Sequence, residues 1–469
     1  MDHLIRDCFQ YCLYLLIAYV GTVNALYFLL MVLGYFALRH DHLSLDRTER
    51  AALLKSRLLP PVSVLAPAFN ESATIRESVH AMLGLEYPRL EVIVINDGSQ
   101  DDTLDILIRE FKLYRSSRQL LGNLRTKPIR AVYKAPDHSL VVIDKENGGK
   151  ADSLNAGLNA ARTPFVAAVD SDSLLEQDAL YYVAAPFLRD ENVVAAGGLI
   201  RVVNGCDVKH GRVCSVRVPR PMLARFQVVE YFRAFLGGRI AFSLINSLML
   251  ISGAFGLFRR DAVLEVGGFR TSTVGEDMEL VVRLHRHYRK QRKQYRIVFV
   301  PDPVCWTEVP ETFKTLRRQR NRWQRGTVES LRANMGMLFN PRYGSVGMFG
   351  FPYFFAVELI GPFVELLGYP LTIAGLATGV VSWQSALLFF VVSVLFGILL
   401  SMSAVLLEEF TLRRYPSLQD VFRLFWAAFA ENFGFRQLLT FWRVEGLIDG
   451  VRRKQGWGAM ERKGFQGSS

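Results

Sequence analysis

Cysteine is scarce in this chain: five in 469 residues, with Cys8 and Cys12 inside an apolar run and Cys206, Cys214 and Cys305 scattered. None has CxxC spacing, which argues against a zinc ribbon, a redox pair and a disulfide scaffold. Charge is low as well, at 21% of residues, while 50% are hydrophobic and the mean hydropathy is +0.17. Those values exclude a disordered chain and do not suit a purely soluble enzyme. There is no Walker pattern (GxxxxGKS/T), so a P-loop ATPase is not indicated. No nucleic-acid module is evident, and nucleic acid is not expected as a partner. A PilZ-like cyclic-dinucleotide domain, internal repeats and low-complexity tracts are also missing. Acidic residues are outnumbered 44 to 56, for a net charge of +12, which suits anionic lipid or a phosphorylated substrate.

Long uncharged runs are what the chain does have. No residue from Cys8 to Leu38 is charged, and at about 1.5 Å per residue a helix of that length exceeds the roughly 30 Å hydrocarbon core. The run lacks the short apolar stretch and small-residue cleavage site of a signal peptide. Residues 1–40 therefore read as an N-terminal membrane anchor. Arg39, Arg47, Arg50, Lys55 and Arg57 come after it, against Arg6 alone before it, and this bias places the chain beyond the anchor in the cytoplasm. A second apolar region, 346–408, contains only Glu358 and Glu365 as charged residues between Met348 and Leu407. Val381-Ser382-Trp383-Gln384 is its best turn, which predicts two spans, with Pro362 and Pro370 as sites for a kink. Glu358 and Glu365, seven apart, share a helix face, and intramembrane carboxylates are costly without a purpose, such as lining a glycan path or meeting headgroups. Residues 415–469 form a basic tail in which Leu418, Val421, Phe422, Phe425 and Phe429 share one face, as in a helix lying in the headgroup plane.

Between these regions, residues 60–335 change character. Short β-rich runs (Val62–Leu65, Glu91–Ile95, Phe165–Val169) alternate with helical stretches, a rhythm that predicts a mostly parallel, doubly wound α/β sheet. Ligands of such sheets bind at the carboxyl ends of the strands. The runs lead into Pro67-Ala68-Phe69-Asn70-Glu71, Asn96-Asp97-Gly98-Ser99 and Asp170-Ser171-Asp172, so polar clusters stand where a site belongs.

Asp170 and Asp172 offer paired hard oxygens suited to Mg²⁺ or Mn²⁺ on a substrate diphosphate; alone, they also read as a capping turn before Leu174. Asp97 can accept hydrogen bonds from a uracil or ribose, or serve as a turn residue. Lys150, after Asn147-Gly148-Gly149, can balance diphosphate charge. Asp277 opens a helix and is either its cap or a general base towards a sugar hydroxyl. Gln319, Arg322 and Trp323 form a QxxRW pattern: an amide, a cation and a large aromatic plane on about one helical turn, suited to hydroxyls, phosphates and sugar faces. The basic run from Arg283 to Arg296 reads as a solvated or headgroup-facing helix, and His285 and His287 as surface residues.

In this order, over roughly residues 60–330, the motifs resemble the membrane-bound family 2 glycosyltransferases, which include the cellulose, hyaluronan, chitin and bacterial poly-N-acetylglucosamine synthases. The resemblance implies a GT-A fold and a hexosyl or N-acetylhexosaminyl transferase using a UDP-sugar donor. It implies that Asp97 and Asp170 contact the nucleotide, that Asp172 holds the metal with Asp170, and that Asp277 is the catalytic base. Lys150, Gln319, Arg322 and Trp323 would complete the donor and acceptor site. Ser252-Gly253-Ala254-Phe255-Gly256, followed by Arg259-Arg260, is similar to the poly-N-acetylglucosamine branch. One departure is Gly275-Glu276-Asp277 where the family has Thr-Glu-Asp. The expected protein is a multi-pass inner-membrane enzyme with a cytoplasmic catalytic domain. It would extend a β-linked polysaccharide, with an export partner or a second copy completing the path. The alternative is a glycolipid-forming transferase with a diacylglycerol or polyprenyl-phosphate acceptor.

Overall fold

Aliphatic and β-branched residues are concentrated in a few short runs, and those runs form the interior of a ten-stranded sheet. The computed structural model describes residues 2–41, 59–136, 140–209 and 211–452. From edge to edge, Tyr114–Arg115, Ile129–Lys134, Leu140–Lys145, Leu90–Asn96 and Val62–Ala68 make one half of the sheet. Phe165–Val169, Phe255–Arg259, Val193–Val202, Arg296–Thr307 and Leu174–Leu175 make the other. Arg47, Arg50, Lys55, Arg57 and the tail residues from Arg453 onward lie outside the described residues.

The sheet is mixed, which refines the parallel expectation. Val62–Ala68 is parallel to both its neighbours, Leu90–Asn96 and Phe165–Val169, but Phe255–Arg259 runs antiparallel between Phe165–Val169 and Val193–Val202. The central parallel strands Val62–Ala68 and Phe165–Val169 are buried along almost their whole length, as continuous apolar runs in a sheet covered on both faces require. Helix Lys150–Ala160 lies so close to the sheet that a Cβ at Gly157 would stand 3.0 Å from Leu65 and 3.1 Å from Ile95.

Among the described residues three helices are long and apolar enough to cross a membrane: Phe9–Arg39, Val346–Ala377 and Trp383–Thr411. The turn falls where the sequence places it, since the Ser382 side chain caps helix Trp383–Phe390 by accepting from the Ser385 N–H. Pro362 stands in the first turn of Gly361–Ala377, after a wide π-type turn at Phe354–Ile360, while Pro370 lies inside the helix. The first position suits a proline, whose missing N–H has no intrahelical role there.

Further helices join the membrane part to the sheet. The helical segment Met222–Leu244, broken by a π-type stretch at Arg233–Arg239, packs on the N-terminal helix; a side chain at Gly34 would collide with the Leu236 carbonyl. Helix Leu418–Ala430 exposes Leu418, Phe422 and Trp426 (77%, 74% and 59%) while burying Leu424, Ala427 and Ala428, the amphipathic pattern of an interfacial helix. The next helix, Phe435–Val451, lies along Phe313–Ala333, with Gly446 against Asn321 and Gly450 against Val328.

Two expectations are corrected. The Arg283–Arg296 run is solvated only in part: Lys290, Arg292, Lys293 and Arg296 are exposed, but Arg283 pairs with Glu279 and donates to the Val266 and Gly268 carbonyls, and Arg289 lies over the Tyr295 ring. His285 is completely buried, with Nε2 2.8 Å from the Leu248 carbonyl and Nδ1 2.7 Å from the Tyr295 hydroxyl. A carbonyl can only accept, so Nε2 carries the proton and Nδ1 accepts from the tyrosine.

Candidate active site

Strand ends and helix starts converge on one side of the sheet, and a cavity of about 1500 Å³ opens there. Every site residue expected from the sequence lines it, together with Tyr27, Glu358 and Arg443 from the membrane part. The cavity is therefore continuous between the sheet and the membrane helices.

Asp97 follows strand Leu90–Asn96 and is only 3% exposed. Its carboxylate accepts from Lys145 Nζ at 2.5 Å, Gly148 N–H at 3.0 Å and Gly149 N–H at 2.7 Å, while its carbonyl accepts from Asn147. Its visible work is to shape the Asn147-Gly148-Gly149 loop. Gly149, at φ +87°, makes a turn that a side chain would strain. Lys145, which the sequence did not single out, is fully buried and also pairs with Asp152 at 2.7 Å. A buried lysine beside two carboxylates holds the loop as a fixed electrostatic unit.

The loop delivers Lys150. Its ammonium meets Asp170 at 2.5 Å, Glu276 at 3.3 Å and the Gly253 carbonyl at 3.1 Å. Burial works against this charge, but Asp170 and Glu276 outweigh it and hold the pKa above the usual lysine value. Glu276, also missed from the sequence, is buried, and burial raises its pKa against the pull of Lys150. A side chain at Gly253 would stand 2.7 Å from Lys150 Nζ and 3.3 Å from Asp277, so the bare backbone there is what lets the two approach. Gly253 N–H donates to Asp277 Oδ2 at 3.0 Å. Asp277 Oδ1 accepts from Met278 N–H at 2.8 Å, so the residue both caps the start of helix Glu276–Lys290 and faces the cavity.

Asp172 is half-buried; burial and then the neighbouring Asp170 raise its pKa, and Glu308 adds to the repulsion. Two hard carboxylates that repel each other fit a divalent cation. Among the described residues no group of three His, Cys, Asp or Glu side chains is placed to hold one. Asp170 and Asp172 would therefore be its protein ligands, with substrate and water oxygens supplying the rest.

The QxxRW residues lie on helix Phe313–Ala333. Gln319 is 9% exposed and its Oε1 has no hydrogen-bond partner, an acceptor oriented within a polar site. Trp323 is 40% exposed, with the Arg320 guanidinium 4.4 Å from its ring centre. Arg320 is in turn fixed by a two-pronged pair with Glu230 at 2.7 and 2.8 Å. Arg322 also lines the cavity. Towards the membrane, Glu358 pairs with Arg443 at 2.6 Å and accepts from Tyr27 at 3.3 Å, and Glu365 accepts from Thr440 at 3.0 Å. The intramembrane carboxylates are thus paired, and both line the cavity.

Residues 127–326 match the model described as glycosyltransferase-like family 2, and residues 270–456 match that of chitin synthase. A poly-β-1,6-N-acetyl-D-glucosamine synthase of Staphylococcus epidermidis is 31% identical over 286 residues, 60% of this chain and 59% of the relative. That of Staphylococcus aureus (strain COL) is 32% identical over 277 residues, 58% of this chain and 56% of the relative. The matched part thus spans less than two thirds of either relative. Among solved structures, a mannosyltransferase from Pyrobaculum calidifontis in complex with GDP-Man and Mn²⁺ superimposes with a TM-score of 0.51 at 21% identity, covering 90% of this chain and 99% of that one. That likeness supports the GT-A fold. With the sheet and the converging carboxylates in place, these matches make the chain similar to the family 2 glycosyltransferases over residues 127–326 and, over the matched span, to the bacterial poly-N-acetylglucosamine synthases.

Proposed function

We propose that the protein is an inverting membrane glycosyltransferase that moves a sugar, N-acetylglucosamine first among the candidates, from a UDP-sugar to a growing β-linked polysaccharide. The observation that carries this reading is the single cavity holding Lys150, Asp170, Asp172, Asp277 and the QxxRW residues at one end and Glu358 and Arg443 at the other. The printed activity of the Staphylococcus relatives supports it.

In this reading Asp277 takes the proton of the acceptor hydroxyl, whose oxygen forms the new bond to the anomeric carbon. The bond from that carbon to the diphosphate breaks on the opposite face, so an axial donor linkage becomes an equatorial product and UDP departs with the bonding pair. Lys150 and Arg322 balance the charge that collects on the diphosphate. A divalent cation bound by Asp170 and Asp172, Mn²⁺ as in the mannosyltransferase or Mg²⁺, would supply further neutralisation there. Trp323 offers a face to a sugar ring, and Gln319 Oε1 accepts from a sugar hydroxyl. The charge bias around the first candidate span supports a catalytic domain on the cytoplasmic side of the plasma membrane, and the three long apolar helices support three crossings.

The test is to incubate detergent-purified full-length protein with UDP-glucose, UDP-N-acetylglucosamine and UDP-galactose and to size the products. A polymer from UDP-N-acetylglucosamine is expected. Products carrying one sugar on a lipid would replace the polymer by the glycolipid reading, and no transfer from any donor would end both.

A further inference from the structure

Most cations around the cavity already have an anionic partner. Lys150 has Asp170 and Glu276, Arg320 has Glu230, Arg233 has Glu431 and Arg443 has Glu358. Arg239 differs. Among the described residues its guanidinium makes no ion pair, its Nη1 is buried without an acceptor, and the Phe235 ring lies 3.7 Å from Cζ to ring centre. Burial pulls its pKa down to about 10, and the negative charge that counters this most is Asp277. Arg239 is half-buried, and a cation that gives up part of its water without an ion pair carries a cost that folding alone does not call for. The same segment leaves room beside it, because a Cβ at Gly238 would meet nothing within 4 Å. Arg239 and Gly238 both line the cavity.

Position distinguishes its role from that of the other cations. Lys150 and the Asp170–Asp172 pair occupy the diphosphate end, whereas the electrostatic neighbours of Arg239 are Asp277 and Tyr231. Its segment, Met222–Leu244, packs on the N-terminal membrane helix. Arg239 and Asp277 line the same cavity, and the guanidinium enters it from the segment that packs on the membrane helix.

We propose that Arg239 is an acceptor-binding residue whose guanidinium takes an oxygen of the terminal acceptor sugar and holds the attacking hydroxyl against Asp277. On an N-acetylhexosamine the acetamide carbonyl is the strongest neutral acceptor for such a donor, and a planar guanidinium with open N–H groups suits it better than an ammonium. The inference rests on the transferase reading above.

The experiment compares wild type with Arg239→Gln and Arg239→Lys, all full-length in detergent, using UDP-N-acetylglucosamine and a β-1,6-linked N-acetylglucosamine oligosaccharide. Arg239→Gln is expected to raise the acceptor KM by about 10- to 100-fold, with Arg239→Lys between it and wild type. UDP affinity should change less than about twofold, and acceptor-independent release of UDP should persist. Because the guanidinium is unpaired, its loss should not lower the Tm, whereas Arg320→Gln, which strands Glu230, should lower it. An unchanged acceptor KM overturns the proposal, as does a parallel loss of UDP affinity or a fall in Tm that accompanies every activity loss. Calorimetric binding of the oligosaccharide to the UDP-bound protein decides the matter without turnover. Weaker binding by Arg239→Gln supports the assignment, and equal binding, or none by wild type, sinks it. A wild type that binds the oligosaccharide yet transfers nothing counts against the transferase reading alone.

Discussion

Arg201 Nη2 donates to both carboxylate oxygens of Glu408, at 2.8 and 2.9 Å. Arg201 belongs to strand Val193–Val202 and Glu408 to the last turns of the third membrane helix, and both are buried (3% and 2% exposed). One ion pair thus fastens the catalytic sheet to the membrane part. Arg201 Nε and Nη1 have no other partner, so the carboxylate carries the compensation alone. Breaking a buried pair on one side leaves an uncompensated charge, at a cost of about 3–5 kcal/mol. Glu408→Ala should therefore lower the Tm of the purified protein markedly, and Arg201→Met with Glu408→Leu should recover most of the loss. Equal destabilisation by the single and double variants would show that the pair is not what fastens the two parts.

Asp277→Asn keeps the side chain's shape and removes its ability to take a proton. Transfer should fall by about 10²- to 10⁴-fold while UDP affinity stays nearly constant. Retention of more than about a tenth of wild-type turnover would remove Asp277 from the role of base. The carboxylate accepts from Met278 N–H on Oδ1 and from Gly253 N–H on Oδ2; the single asparagine oxygen keeps one of these bonds, and the loss of the other, about 1 kcal/mol, is one that folding should survive.

Activity should disappear in EDTA and return with Mn²⁺ or Mg²⁺, because Asp170 and Asp172 present hard oxygens that repel each other without a cation. Asp172→Ala should resemble the chelated enzyme, with excess metal unable to restore it fully. Full turnover in chelator would exclude the metal from the reaction.

Much of this was legible in the sequence where one local rule sufficed. Alternating apolar runs gave the strands, uncharged length gave the three helices long and apolar enough to cross a membrane, and Ser382 marked its turn because a capping hydroxyl acts on the next three residues. Residues whose roles depend on distant partners were not legible. Phe255–Arg259 reads as one more apolar run, and only its neighbours in the sheet decide that it runs antiparallel. Arg201 and Glu408, 207 residues apart, carry no mutual signal. Lys145 and Glu276 looked like ordinary charges beside named motifs. The Arg283–Arg296 run misled in part because charge density reads as solvent exposure, whereas Arg283 spends its donors on Glu279 and two carbonyls.

His285 makes the stability depend on pH. Burial lowers its pKa to about 4, while an unfolded chain has the ordinary value of 6.5. Between those values the unfolded state binds the proton and the folded state does not. The stabilisation is therefore complete above pH 6.5 and is lost as the pH falls towards 4, by at most about 3 kcal/mol. The neutral ring is satisfied on both nitrogens by Leu248 and Tyr295, so protonation would break the bond from the tyrosine. Between pH 7 and 4.5 the wild-type Tm should fall more than that of His285→Gln, which cannot titrate. Parallel falls would assign the acid sensitivity to the carboxylates instead.

Topology bears on which acceptor is served. Spans Phe9–Arg39, Val346–Ala377 and Trp383–Thr411 place the sheet and helix Phe435–Val451 on the same side, and the contact between that helix and Phe313–Ala333 requires it, with Arg317 bound to Glu445 at 2.8 and 2.6 Å. The turn at Ser382 then lies on the opposite face. Single cysteines at Ser382, Arg342 and Ser468, in a background lacking the five native cysteines, test this with a membrane-impermeant maleimide. Arg342 is exposed and is a better position than the nearby Gly344, where φ is +60° and a side chain would meet Arg289. Only Ser382→Cys should react from outside intact cells, with the other two reacting after permeabilisation. Outside labelling of Ser468→Cys would overturn the arrangement. With three spans, the walls around Glu358 and Glu365 come from few helices, so a polymer leaving by that route would also need the interfacial helices, a second copy or a partner protein. If the layout holds and the products are single sugars on lipid, the same cavity serves an acceptor that arrives from the bilayer and never has to cross it.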